Sequence, residues 1–299
     1  MLAPVVVFVY NRADHAQETL TALENNYLAQ ESELYIFADN AKSEKGQAKV
    51  DEVRAYIDHY ATVSKFKSVT ITKAEKNKGL AKSIISGVTE IINRYGKVIV
   101  VEDDLTTSPD FLQYMNGALD FYEKNDRIWS ISGYSAPLLH LDKYPHDVYM
   151  TYRGCSWGFA TWKDRWDKID WEVSDYEEFI HSPQRIKHFN RGGSDLSGMI
   201  TMQMNKEIDS WAVRWVYQQD KEDMLTVYPK VSRILNNGCD SSGTHCGETH
   251  RYDTTLSSGA ACRFENLEPD RKLIADFADL YDYSRRGKIK KFFKKLFYF

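Results

Sequence analysis

An unbroken apolar run, Val5-Val6-Val7-Phe8-Val9-Tyr10, stands near the start of the chain, and a second, Val98-Ile99-Val100-Val101, repeats it further on. A strand that is apolar at every position has no solvent face. It belongs inside a sheet covered on both sides, the situation of a parallel sheet between two helical layers. The segments around these runs fit that layout. His15 to Ala29 carries Thr19, Leu20, Leu23 and Leu28 at helical spacing, Leu34 to Ala38 is the next strand, and Val50 to Tyr60 the next helix. Ser68 to Thr72 is a third, β-branched strand, and Leu80 to Ile92 gathers Ile84, Ile85, Val88, Ile91 and Ile92 on one helical face. Lys97 to Val101 is the fourth strand. Strands alternating with helices predict an α/β fold: a doubly wound, mostly parallel sheet flanked by helices.

The second half is less regular. Pro109 to Tyr122 predicts a helix with Pro in its first turn, and Ile128 to Ser132 a strand ending at Gly133-Tyr134. The aromatic stretch Trp157 to Trp171 and the segment Ile208 to Tyr217 are expected to be helix and loop, and the spacing of Trp157, Trp162, Trp166 and Trp171 suits a buried helical stripe. Thr226 to Tyr228 is strand-like, followed by a turn-rich stretch from Asn236 to Gly247. The expected organisation is one domain over 1–283, with a donor half at 1–105 and an acceptor half at 106–283, and a separate tail at 284–299.

Composition narrows the function classes. The 299 residues are 42% hydrophobic and 27% charged with a net charge of -4, the balance of a soluble globule with no signal for nucleic acid. Four cysteines (Cys155, Cys239, Cys246 and Cys262) are too few for a disulfide scaffold and lack zinc-finger spacing, which suits a reducing compartment. No secretory leader and no membrane-spanning apolar run stand out, so a cytoplasmic location is expected. The tail differs from the rest. It carries Arg285, Arg286, Lys288, Lys290, Lys291, Lys294 and Lys295 and no acid, with Ile289, Phe292, Phe293, Leu296 and Phe297 on one helical face. That is the pattern of a helix lying in an anionic membrane interface, here the inner face of the cell membrane.

The chemistry-bearing feature is Glu102-Asp103-Asp104, directly after the fourth strand. In an open parallel sheet, ligands bind beyond the carboxyl ends of the strands. Three carboxylates gathered there repel one another, and a hard divalent cation, Mn²⁺ or Mg²⁺, relieves the repulsion while coordinating substrate phosphates. An acidic turn stabilising the next helix dipole is the bland alternative. A transfer to a hydroxyl also needs a carboxylate to take its proton. Asp209, before the aromatic segment of Trp211 and Trp215, is the chosen base, with Glu207 and Asp240 as rivals and helix capping as its competing role. His245, in the Gly-rich stretch 239–247, is a candidate lid residue touching diphosphate or metal. Trp157, Trp162 and Trp211 are candidates for stacking on an acceptor.

Several short segments together resemble a GT-A glycosyltransferase. These are Tyr10-Asn11-Arg12, Asn77-Lys78-Gly79-Leu80-Ala81, and Val98 to Leu105 followed by Ser108-Pro109-Asp110-Phe111. The run from the third helix through Tyr114 is similar to the N-acetylglucosaminyltransferase I type. Ser156-Trp157-Gly158-Phe159-Ala160-Thr161-Trp162, Asp209 to Trp215 and Gly243-Thr244-His245-Cys246 look like bacterial transferases of surface-polysaccharide clusters. The resemblance implies that Tyr10, Asn11 and Arg12 lie against the nucleotide, that Asp39 contacts its base, and that Asn77, Gly79 and Lys82 border the donor. It places Glu102 at the donor, Asp103 at the ribose or metal, and Asp104 as direct metal ligand. One departure stands out: that type carries an Asp after the Trp corresponding to Trp211, where this chain has Ala212.

The expected function is inverting, metal-dependent transfer of a hexosyl group from a UDP-linked donor to a glycan or lipid-linked glycan. The alternatives are a nucleotidyltransferase acting on sugar phosphates, which would place a Gly-rich loop where Tyr10-Asn11-Arg12-Ala13 stands, and a non-catalytic carbohydrate-binding protein.

Overall fold

The computed structural model describes residues 1–238 and 249–282. The first half follows the alternating pattern closely: β1 (Val5–Val9), α1 (Ala13–Glu24), β2 (Glu33–Ala38), α2 (Glu44–Val63), β3 (Ser68–Lys73), α3 (Leu80–Tyr95) and β4 (Lys97–Glu102). A short strand β5 (Leu105–Thr107), helix α4 (Phe111–Tyr122), and strands β6 (Ile128–Ser132), β7 (Val148–Thr151) and β8 (Phe159–Trp162) follow. Helices α5 (Lys163–Trp166), α6 (Tyr176–Ile180), α7 (Pro183–Phe189), α8 (Leu196–Met204) and α9 (Trp211–Lys221) lead to β9 (Leu225–Pro229), β10 (Ile234–Asn236) and α10 (Arg271–Leu280).

Among the described residues the main sheet has eight strands in the order β3-β2-β1-β4-β8-β6-β9-β7. Strands β3, β2, β1 and β4 pair in parallel, and so do β6 and β9, while β8 and β7 run against their neighbours. The doubly wound, mostly parallel α/β fold is therefore present, with β8 wedged between its two parallel parts.

The strand-by-strand apolarity has its reason in two cores. From β1, Val5, Val7 and Val9 enter a core beneath α1, α2 and α4, while Val6 and Phe8 enter another beneath α3 and α9. Period-two alternation thus sends every β1 side chain into apolar surroundings. On α3, Ile84, Val88, Ile91 and Ile92 are fully buried as their spacing predicts. Each such side chain contributes roughly 1.5–3 kcal/mol of burial.

The aromatic stretch departs from expectation. Its tryptophans form no helical stripe: Phe159–Trp162 is a strand, Trp166 ends a four-residue helix, and Trp171 lies beyond it, packed on Trp166. Antiparallel pairing of β8 with β4 and β6 overrides the helical period.

Candidate active site

The carboxyl ends of β1, β2, β3 and β4 open onto one edge, and most of the predicted donor residues meet there. The turn after β1 carries Arg12, the acidic triplet ends β4, and Phe8 of β1 pairs in register with Glu102. Arg12 Nη2 donates to Asp103 Oδ1 at 2.5 Å and to Asp104 Oδ2 at 2.8 Å. Asp103 also accepts from the Tyr10 backbone N–H. Tyr10 reaches outward and accepts from the backbone N–H of Lys42 at 3.3 Å. Asn11 is half-buried in the same turn, and Lys82 is exposed on the first turn of α3.

The electrostatics are strained toward negative charge. Burial pushes the Glu102 carboxyl up to about 8, with repulsion from Asp104 and Asp103 adding to it. Burial also raises Asp103 despite its ion pair with Arg12. Arg12 is held above its ordinary value because its two carboxylate partners outweigh its own burial. Its second terminal nitrogen, Nη1, is buried and finds no hydrogen-bond partner among the described residues.

Asp103 and Asp104 already converge on one cationic group, so the site accepts positive charge. Among the described residues, no three His, Cys, Asp or Glu side chains gather into a ready-made cage. A hard cation, which usually takes one or two carboxylates and completes its shell with phosphate and water, would fit these residues and would be held through Asp104. His245, Asp240, Cys239 and Cys246 lie outside the described residues.

A two-stranded ribbon, absent from the sequence reading, shapes the other side. Strand β10 pairs with β5, and the following Asn237 donates its N–H to the Asp104 carbonyl at 2.8 Å. Gly238 then packs on the Asp104 carboxylate so closely that a Cβ there would lie 2.1 Å from Oδ2. Behind the ribbon, Arg233 and Asp110 form a buried ion pair at 3.2 Å, joined by Ser108 and Ser257. Ser108-Pro109-Asp110 was visible in sequence, but its partner 123 positions away was not.

Asp209 faces the donor side. Its Oδ2 lies 4.0 Å from where a Cβ on Gly79 would stand, and its Oδ1 is 3.5 Å from Arg214 Nη2. Helix α9 is capped by Ser210, whose Oγ accepts from the Val213 N–H, so the capping role falls to Ser210 and Asp209 remains 68% exposed. Glu207 is exposed and accepts from Asn205.

The three tryptophans separate. Val100 pairs with Phe159 and Lys97 with Trp162, so antiparallel β8 puts Trp157 at the active edge and Trp162 at the opposite one. Trp157 is half-buried, set edge-on to Tyr134 at 4.8 Å and Tyr252 at 5.4 Å. Trp162 is 3% exposed, donates to the Leu119 carbonyl and lies under Arg165. Trp211 is equally buried, between Phe159 and Trp215. Neither Trp162 nor Trp211 presents a face for a sugar in this structure.

The mostly parallel sheet thus brings an acidic turn and its basic partner to one carboxyl edge, the α/β layout expected of the chain. The profile of the GNT-I family matches residues 1–188, most of the chain, and the protein belongs to that family. Similar solved structures include mannosyltransferase PcManGT from Pyrobaculum calidifontis, in complex with GDP-Man and Mn²⁺. It shares 14% identity and a TM-score of 0.38 over 54% of this chain and 44% of that one. S. aureus TarS 1-349, at 12% identity, has a TM-score of 0.43 over 80% of this chain and 61% of its own. The same protein in complex with UDP-GlcNAc gives 12% identity and 0.40 over 78% and 57%. The chain thus spans 44% to 61% of the length of these structures. Comparison with curated proteins finds no match.

Proposed function

We propose that this glycosyltransferase moves a hexosyl group from a UDP-linked donor to a hydroxyl of a glycan or lipid-linked glycan, with inversion and with Mn²⁺ or Mg²⁺ at Asp104. The observation that carries this reading is the convergence of Asp103 and Asp104 on the Arg12 guanidinium at the carboxyl edge of the sheet. A cation bound there supplies neutralising charge to the leaving diphosphate. Arg12 Nη1, buried and unpaired among the described residues, is a donor for a phosphate oxygen. Asp209 takes the acceptor proton while the hydroxyl oxygen forms its bond to the anomeric carbon and the bond to the diphosphate breaks. Trp157 borders the acceptor side of the same edge.

The proposal extends to surface-polysaccharide synthesis at the inner face of the cell membrane. Its support is the basic, amphipathic sequence pattern of residues 284–299, which lie outside the described residues. Among the described residues no helix is long and apolar enough to cross a membrane.

A thermal-shift panel of nucleotide sugars with and without Mn²⁺ tests the reading. A ligand at a hundred times its dissociation constant stabilises the folded state by about 2.7 kcal/mol. The expected result is a rise with a UDP-sugar that depends on Mn²⁺, followed by UDP release on adding acceptor. No cation-dependent rise with any nucleotide sugar ends the proposal. Binding without turnover leaves a carbohydrate-binding protein.

A further inference from the structure

The lysines change company where β3 ends. Up to that point each has an acid: Lys65 pairs with Glu24 at 3.9 Å, Lys67 with Glu33 at 3.3 Å and Lys73 with Asp58 at 2.6 Å. Beyond it, Lys76 and Lys78 in the turn between β3 and α3, and Lys42 in the turn between β2 and α2, are exposed. Among the described residues none of these three side chains meets a carboxylate.

Hydrogen bonds tie the two turns into one lip at the carboxyl edge of the sheet. Asn77 Nδ2 donates to the Asn40 carbonyl and Asn40 Nδ2 to the Glu75 carbonyl, both at 2.6 Å. The Lys42 N–H donates to the Tyr10 hydroxyl at 3.3 Å, which joins the lip to the β1 turn that also carries Arg12. Arg54, half-buried, donates to the carbonyls of Ala74 at 2.6 Å and Asp39 at 3.4 Å. It too has no carboxylate partner among the described residues, and a half-buried charge is screened less than an exposed one. Over 39–45 and 74–82 five lysines stand against three acids, in a chain whose net charge is -4. The rim is thus locally positive on a protein that is negative as a whole.

Charges of one sign along the rim of a cleft raise the local concentration of the opposite ion and its rate of entry. The acidic turn at the same edge repels an anion at a distance, so the lysine side is the favourable approach. We propose that Lys42, Lys76 and Lys78 are a steering lip, which speeds the arrival of an anionic nucleotide-sugar donor and takes no part in holding it. The lip rests on the donor class proposed above and adds the route by which that donor enters.

The test uses the full chain as wild type, as the triple variant Lys42→Gln, Lys76→Gln, Lys78→Gln, and as the matching Lys→Arg triple, which keeps the charge. Stopped-flow association and dissociation of a fluorescent UDP analogue with Mn²⁺ are read at about 0.01 M and 1 M salt, where the screening length is roughly 30 Å and 3 Å. The Gln triple is expected to associate about tenfold more slowly at low salt and within about twofold of wild type at high salt, with dissociation unchanged. The Arg triple associates like wild type at both. Should the Gln triple fold poorly, the single variants show the same salt-dependent loss at about twofold each. Equal association at low salt overturns the lip. So does a deficit that persists at high salt or resides in dissociation, which makes the lysines contacts of the bound donor. Lost binding to phosphatidylglycerol vesicles with nucleotide association intact also overturns it and assigns the lysines to an anionic membrane. If wild type does not bind the UDP analogue with Mn²⁺, the donor reading falls and the lip with it. If it binds without a salt-dependent difference between variants, the lip alone falls.

Discussion

Gly238 lies against the Asp104 carboxylate with no room for a side chain: a Cβ at 238 would stand 2.1 Å from Oδ2. The ribbon of β5 and β10 holds the two in this contact, although they are far apart in sequence. A methyl group must therefore displace the carboxylate. Gly238→Ala is expected to weaken Mn²⁺-dependent UDP binding by about tenfold to a hundredfold, the scale of a 1 Å misplacement. Calorimetry with and without Mn²⁺ measures it; unchanged cation-dependent affinity would show that Asp104 can move at no cost.

Arg12 is the internal counter-charge of the acidic turn. Arg12→Met leaves Asp103, 8% exposed at its side chain, and Asp104 without their cationic partner. Removing one member of a buried pair costs about 3–5 kcal/mol, and the partial exposure of Arg12 reduces this to roughly 1–3 kcal/mol. The melting temperature of the metal-free variant should fall by several degrees, and Mn²⁺ without nucleotide should raise it more than in wild type. Equal Mn²⁺ responses would mean that the guanidinium and the ion do not share this charge.

Asp209→Asn keeps size and polarity but cannot take a proton. Since Ser210 caps α9, folding should be unaffected. Turnover should fall by about 10²–10⁴-fold with nucleotide affinity retained, the usual share of general-base catalysis. Near-normal turnover with an intact fold would remove Asp209 from the mechanism.

Cys155, two residues before Trp157, supplies a pH signature. Burial pushes its thiol up to about 11. The folded pKa lies above the unfolded one, so this thiol's contribution to stability is complete below the unfolded value and is lost as pH rises through about 11. In the native protein at pH 8 its thiolate is scarcer by about a hundredfold than in unfolded chain, so iodoacetamide should label the Cys155 peptide correspondingly more slowly. Peptide mass spectrometry with and without urea reads the ratio; equal rates would refute the burial argument.

The donor half was legible because its signals are local. The apolar runs of β1 and β4 and the face of α3 each lie within a few consecutive turns of chain, and burial on both sides follows from them. What the sequence hid is long-range. Four-residue β8 was masked by its tryptophans, and only its pairing with β4 says that Trp157 and Trp162 leave at opposite edges. Three-residue β5 and β10 carry no periodicity of their own. The bonds of Asp39 reach residues almost forty positions on, so its turn-like sequence could not reveal its partners. Trp211 shows the same limit: an aromatic residue fits a ligand platform or a core equally well until its neighbours are known.

The insertion of β8 beside β4 also bears on how the protein is made. While the nascent chain emerges, β4 finds β1 early but must wait some sixty residues for its other neighbour. Until Trp162 has cleared the ribosome, Val98 to Val101 presents an open, apolar strand edge, the kind that recruits other chains. Synthesis thus leaves this edge open from the fourth strand until the eighth closes it.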